Sequence, residues 1–166
     1  MGTAGDTYLK TAASGLGRGM AAAMAMTGMR QVTTGLGLVD QTPPEAILQQ
    51  SAPTLLVRLP TVAYVVARRQ RVVIELGHWF YGAVGGLAFG SLPEAFLRRP
   101  WAGPAYGLLT WLAFEASLAP ILGLEQARKV RIAERAAFAG DHLLYGVLLA
   151  GDRRWALARS GRRYGR

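Results

Sequence analysis

Two histidines occur in this chain of 166 residues, and each opens the same phrase. His78-Trp-Phe-Tyr81-Gly82 and His142-Leu-Leu-Tyr145-Gly146 both read H-x-x-Y-G. On a helix, positions i, i+3 and i+4 share a face, so each imidazole is set beside a phenol and beside a glycine that admits a neighbouring backbone. An acid accompanies each phrase, Glu75 one turn before the first histidine and Asp141 immediately before the second. These groups suit three uses. Each imidazole bonds a backbone carbonyl or its flanking carboxylate and helps join two helices; or the pairs line a polar pocket for a lipid headgroup, a quinone or another small ligand; or the two histidines, at equal depth on parallel helices, ligate haem. None of these cofactors is required by the sequence. With no cysteine and only two histidines, neither a thiolate site nor a closed zinc site is expected.

A second set of chemical groups lies inside apolar stretches. Arg30 and Glu115 each fall in the middle of one, and aligning Leu38 with Leu124 brings Arg30 opposite Ala116, one residue from Glu115. A charge in hydrocarbon costs at least a few kcal/mol, about 2.5–3.5 on insertion scales, so an Arg30–Glu115 ion pair is expected. It serves either to fix helix register or to line a proton or ion path.

The elements that carry these residues follow from composition. The chain is 51% hydrophobic and 17% charged, below the roughly one quarter charged residues of soluble domains, and it has 21 glycines and a net charge of +9. Lipid is the simplest place to hide that apolar excess. Four stretches approach the roughly 20 residues a membrane helix needs: 16–38, 72–92, 102–124 and 136–150. The first also resembles a signal-peptide core, but Arg30 and Gln31 interrupt it and apolar residues resume to Val39, so an uncleaved span is preferred. The connection 40–71 opens with Thr42-Pro-Pro-Glu45, a helix-start pattern, and mixes Leu55, Leu56, Val57 and Leu59 with Gln49, Gln50 and Arg58. It reads either as an amphipathic segment on the membrane surface or as a loop capping the bundle.

Spans one and three end alike, Gly35-Leu-Gly-Leu38 and Ile121-Leu-Gly-Leu124, so the chain reads as two helical hairpins of the same direction. Spans two and four are then parallel. Gly82, Gly86 and Gly90 recur every four residues and Gly146 echoes them, the spacing that lets helices approach closely in lipid. Trp79, Tyr81, Trp101, Tyr106 and Tyr145 fall near span ends, where headgroup-level rings are expected.

Lys10, Arg18, Arg98, Arg99 and the basic tail 152–166 fall on one face. Arg58, Arg68, Arg69, Arg71, Arg128, Lys129, Arg131 and Arg135 fall on the other. This near-balance favours cytoplasmic termini only through the density of the tail, which suits anionic headgroups. Nucleic-acid binding is not expected, since no stacking platform or recognisable nucleic-acid fold accompanies the charge.

The phrases Gly77-His-Trp-Phe-Tyr-Gly82, Pro104-Ala-Tyr-Gly-Leu-Leu-Thr-Trp111, Leu118-Ala-Pro-Ile-Leu-Gly-Leu124 and His142-Leu-Leu-Tyr-Gly146 together resemble the YagU-like group of small bacterial inner-membrane proteins, over roughly residues 16–151. That resemblance implies a four-span membrane protein and assigns no reaction or cofactor. The expectation is therefore an all-α integral membrane bundle of four helices in two parallel hairpin repeats, forming a single domain over residues 1–166. Its expected role is an accessory or assembly subunit among membrane lipids and other membrane subunits. The alternative is a homo-oligomeric protein that binds or passes a small solute or proton. No Ser-His-Asp arrangement, phosphate loop or metalloprotease spacing marks an enzyme, and an enzyme acting on lipid is a further alternative.

Overall fold

The computed structural model describes residues 4–39, 45, 47, 58–121 and 132–163. Every element among them is helical. They are α1 (Ala4–Gly35), α2 (Pro60–Arg68), α3 (Gln70–Gly90), α4 (Glu94–Leu97), α5 (Ala102–Ala113), a π-turn (Phe114–Leu118), α6 (Ala119–Ile121) and α7 (Ile132–Arg163). The Thr42-Pro-Pro helix start, most of the 40–57 connection and residues 122–131 lie outside the described residues, apart from Glu45 and Ile47, which are helical.

Helix ends follow local chemistry. Past the end of α1, Gly37 takes φ +69°, and the Gly37 and Leu38 amides return to the Thr34 and Thr33 carbonyls. A left-handed glycine just after a helix closes it this way, because it carries no Cβ to clash. Pro60 begins α2, where its missing N–H costs nothing. Non-helical backbone at Arg69 (φ −122°, ψ 30°) separates α2 from α3. Pro120 supplies no N–H to the Ala116 carbonyl and its ring crowds that oxygen, which accounts for the wider π-turn directly before it. Helices α1 and α7 extend beyond the apolar stretches read from sequence, starting at Ala4 and reaching Arg163, because the flanking Ala, Lys and Arg are good helix formers.

The bundle consists of two antiparallel pairs. In the first, α1 and α3 meet through glycine. A Cβ added at Gly86 would strike the Gly15 carbonyl and lie 2.6 Å from Gly19 Cα, and one at Gly90 would lie 3.3 Å from Gly15 Cα. In the second pair, α5 and α7, a Cβ at Gly146 would strike the Gly103 carbonyl and lie 3.1 Å from the Gly107 amide nitrogen. The glycine of each repeated phrase therefore sits at a close backbone contact. Helix α7 also packs on α1. Two tyrosines tie α3 to the second pair: Tyr106 Oη donates to the Gly85 carbonyl at 2.7 Å, and Tyr145 Oη donates to the Gly82 carbonyl at 2.6 Å. Around them Met26, Phe89, Leu97 and Leu149 form the apolar core, with Phe89 and Tyr106 ring centroids 5.0 Å apart.

Among the described residues, α3 is the one helix long and apolar enough to cross a membrane, by length and composition. The other three stretches expected to span differ for identifiable reasons. Arg18, Arg30 and Gln31 dilute α1; the π-turn limits α5 to 12 residues; and α7 carries Asp141 between Glu134-Arg135 and Asp152-Arg153-Arg154.

Candidate functional site: a polar cluster inside the bundle

The interior that the glycine contacts create holds charge as well as apolar side chains. Arg30 is 8% exposed and Asp141 3% exposed, while Leu16, Met20, Met24, Leu76, Phe80 and Val147 stand open on the outer faces. In a water-soluble fold this distribution is usually reversed.

From α1 come Thr27 and Arg30, one turn apart and on the same face; from α3 come Glu75, His78 and Trp79; from α7 come Asp141 and His142. Arg30 Nη2 lies 2.8 Å from His78 Nε2. Guanidinium is a donor only, so Nε2 accepts and the ring proton sits on Nδ1, with the Ala23 backbone in hydrogen-bonding range of that imidazole. Thr27 Oγ1 donates to Glu75 Oε2 at 2.6 Å and accepts from Trp79 Nε1 at 3.2 Å, which satisfies both functions of the hydroxyl. On α7, His142 Nδ1 lies 2.9 Å from the Phe138 carbonyl and donates to it, leaving Nε2 as an acceptor. Arg30 lies within electrostatic range of both Asp141 and His142, and the two histidines within range of each other. Asp141 Oδ1 is enclosed and has no hydrogen-bond partner.

The structure brings together most of the residues singled out from sequence. His78, His142, Glu75, Asp141 and Arg30 converge on one interior region. Tyr145 is 4% exposed and points inward, whereas Tyr81, its counterpart in the first phrase, is 53% exposed, within electrostatic range of Tyr106 and Tyr145. Glu115 lies in the π-turn, partly buried, and among the described residues it forms no hydrogen bond or ion pair. The ion pair expected between Arg30 and Glu115 is not formed: Arg30 takes His78 instead. That expectation assumed superposable hairpins, but α1 packs on α3 and α7, which brings His78 to Arg30 and leaves Glu115 apart in the π-turn.

The aromatic residues expected at span ends divide in the same way. Trp101 is exposed, but Trp79, Tyr106 and Tyr145 turn inward onto hydroxyl or carbonyl partners. The sequence reading assigned no role to Thr27 in the polar site and placed Trp79 at the interface. The Thr27–Arg30 spacing on one face, matched by Glu75–Trp79 on the opposing helix, was the available signal.

Among the described residues no group of three or more His, Asp or Glu side chains is arranged to hold a metal ion. His78 Nε2, the nitrogen a haem iron would need, already accepts from Arg30. The chain matches no family model, no curated protein and no solved structure.

Proposed function

We propose that this chain is a small integral membrane protein of four spans, α1, α3, α5–α6 and α7, that binds or passes a proton or small polar solute at its interior polar cluster. One observation carries the reading: a polar interior in which Arg30 bonds His78, beside a buried Asp141 and a hydrogen-bonded His142, enclosed by helices whose outer faces are apolar. Burying Arg30 and Asp141 is costly in any solvent, and intramembrane charges of this kind characteristically mark substrate or proton routes. The apolar outer faces would meet lipid chains without penalty. Residence in a bacterial inner membrane and kinship with the YagU-like group belong to the same proposal. A four-helix bundle makes a narrow route, so transport would call for several copies of the chain.

The accessory-subunit reading is favoured by a different observation. Gly17, Gly28 and Gly35 on α1 have open space where a Cβ would stand, so that helix offers a glycine-bearing face to a further helix. One preparation separates the two. The tagged protein is extracted from its native membrane in mild detergent, its co-eluting partners and absorbance spectrum are recorded, and the pure chain is then reconstituted in liposomes containing a pH-sensitive dye. Proton or solute flux from a peak containing only this chain, lost in Arg30→Gln, is the expected result. Stoichiometric foreign subunits and no flux would replace the proposal with the accessory reading.

A further inference from the structure

Asp141 is 3% exposed and its Oδ1 has no partner, although the Arg30 guanidinium lies within electrostatic range. Arg30 instead engages a neutral acceptor, His78 Nε2, and no ion pair joins it to Asp141. In a low-dielectric interior an ionised carboxylate attracts a guanidinium far more strongly than an imidazole does, and an unpaired buried carboxylate is among the costliest groups a fold can hold. Arginine is long and flexible enough to choose between the two partners. Its position on His78 is what a neutral carboxyl at Asp141 leaves behind.

We propose that Asp141 is a proton-binding site at the centre of the bundle, and that Arg30 engages His78 while the proton is present and Asp141 once it has left. This rests on the reading of the cluster as an interior binding site, and it names the ligand as a proton. On release the carboxyl O–H bond breaks, its electron pair stays on Asp141 and water accepts the proton; nothing is oxidised or reduced. The resulting carboxylate pairs with Arg30, and His78 Nε2 loses its donor. The cluster is faced by Arg30 and Thr27 from α1, by Glu75, His78 and Trp79 from α3, and by His142 from α7 itself. Helix α5 brings Gly107 against the His142 carbonyl and contributes no acid, Glu115 lying in the π-turn that follows it. Arg30 is thus the cation positioned to follow the charge of Asp141, and Glu75 is already occupied by Thr27. The two positions of Arg30 form a bistable element biased by one proton.

The test uses the full-length chain in lipid, labelled with 13C at its aspartate carboxyls, followed by infrared spectroscopy as the pH is raised from about 5 to about 9, well above the ordinary range of a solvated aspartate. The four aspartates are Asp6, Asp40, Asp141 and Asp152. A label-sensitive protonated-carboxyl band that persists above pH ~5, where solvated aspartates are ionised, is expected, and Asp141→Asn should abolish it. In parallel, 15N-histidine spectra should show His78 Nε2 losing its donor as that band disappears, and keeping it at every pH in Asp141→Asn. Asparagine mimics the protonated acid, so this variant is expected to assemble. If it does not assemble, Asp141→Glu assigns the band instead, because its carboxyl does not carry the aspartate label, and a label-sensitive band that survives in Asp141→Glu overturns the proposal. Absence of the band from labelled wild-type protein also overturns it, without recourse to any variant. The liposome assay keeps the two readings apart: no band but intact solute uptake removes the proton while leaving the interior site standing.

Discussion

Tyr81 and Tyr145 hold the same place in a repeated phrase and differ in burial. Tyr145 donates to the Gly82 carbonyl from a buried position, while Tyr81 stands in the open. Tyr145→Phe removes the donor from a buried carbonyl and should lower stability by about 1 kcal/mol, the usual net worth of one hydrogen bond. Tyr81→Phe should cost nothing measurable. Equilibrium unfolding of both variants in the same detergent checks the pair, and equal losses would show that the two phrases act alike. The phrase was legible as a motif because its three residues share a face, and its glycines do mark the close helix contacts. Which way each face turns was not legible. Rotation of α3 and α7 is set by the glycines that pack against α1 and α5, a property of pairs of helices that spacing within one helix does not carry. The same holds for Arg30: the need for a partner was evident from its place in an apolar stretch, but the partner's identity depended on which helices α1 touches.

At the scale of the element, glycine has opposite meanings on the two sides of α1 and α3. A Cβ at Gly86 meets Gly15 and Gly19 backbone, whereas one at Gly28 meets nothing within 4 Å. The same substitution should therefore change sign. Gly86→Ala forces the pair apart and should destabilise by about 1–3 kcal/mol, the usual cost of overpacking. Gly28→Ala should stabilise α1 by up to about 1 kcal/mol, the propensity difference in a helix interior. Thermal unfolding of both in one lipid mixture decides it, and a loss at Gly28 would mean that a further helix covers that face. The four-residue glycine spacing was readable in sequence, whereas α1 and α3 end at Gly35 and Gly90, short of the span ends read at Leu38 and Leu92. The π-turn was not, although Pro120 stood in plain view, because a proline inside a helix dictates that the backbone must adjust and leaves open whether it kinks, widens or stops.

At the scale of the whole molecule, apolar side chains face outward while an arginine and an aspartate lie inside. Large apolar patches are rarely left open to water, so outward apolar faces of this kind call for a cover of lipid or protein. The absence of native cysteine makes this directly measurable. Phe80, 69% exposed, is in the middle of α3, and Arg99, also exposed, lies in the turn region between α4 and α5. A single cysteine at each position, Phe80→Cys and Arg99→Cys, can be titrated with a water-soluble maleimide in native membranes opened to reagent on both faces. If α3 spans the bilayer, the Phe80→Cys thiol is surrounded by hydrocarbon, where the reactive thiolate does not form. It should then react at least about tenfold more slowly than the thiol of Arg99→Cys. Denaturation should abolish the difference. Equal rates in the intact membrane would mean that water reaches the centre of α3 and that neither lipid nor protein covers its outer face there.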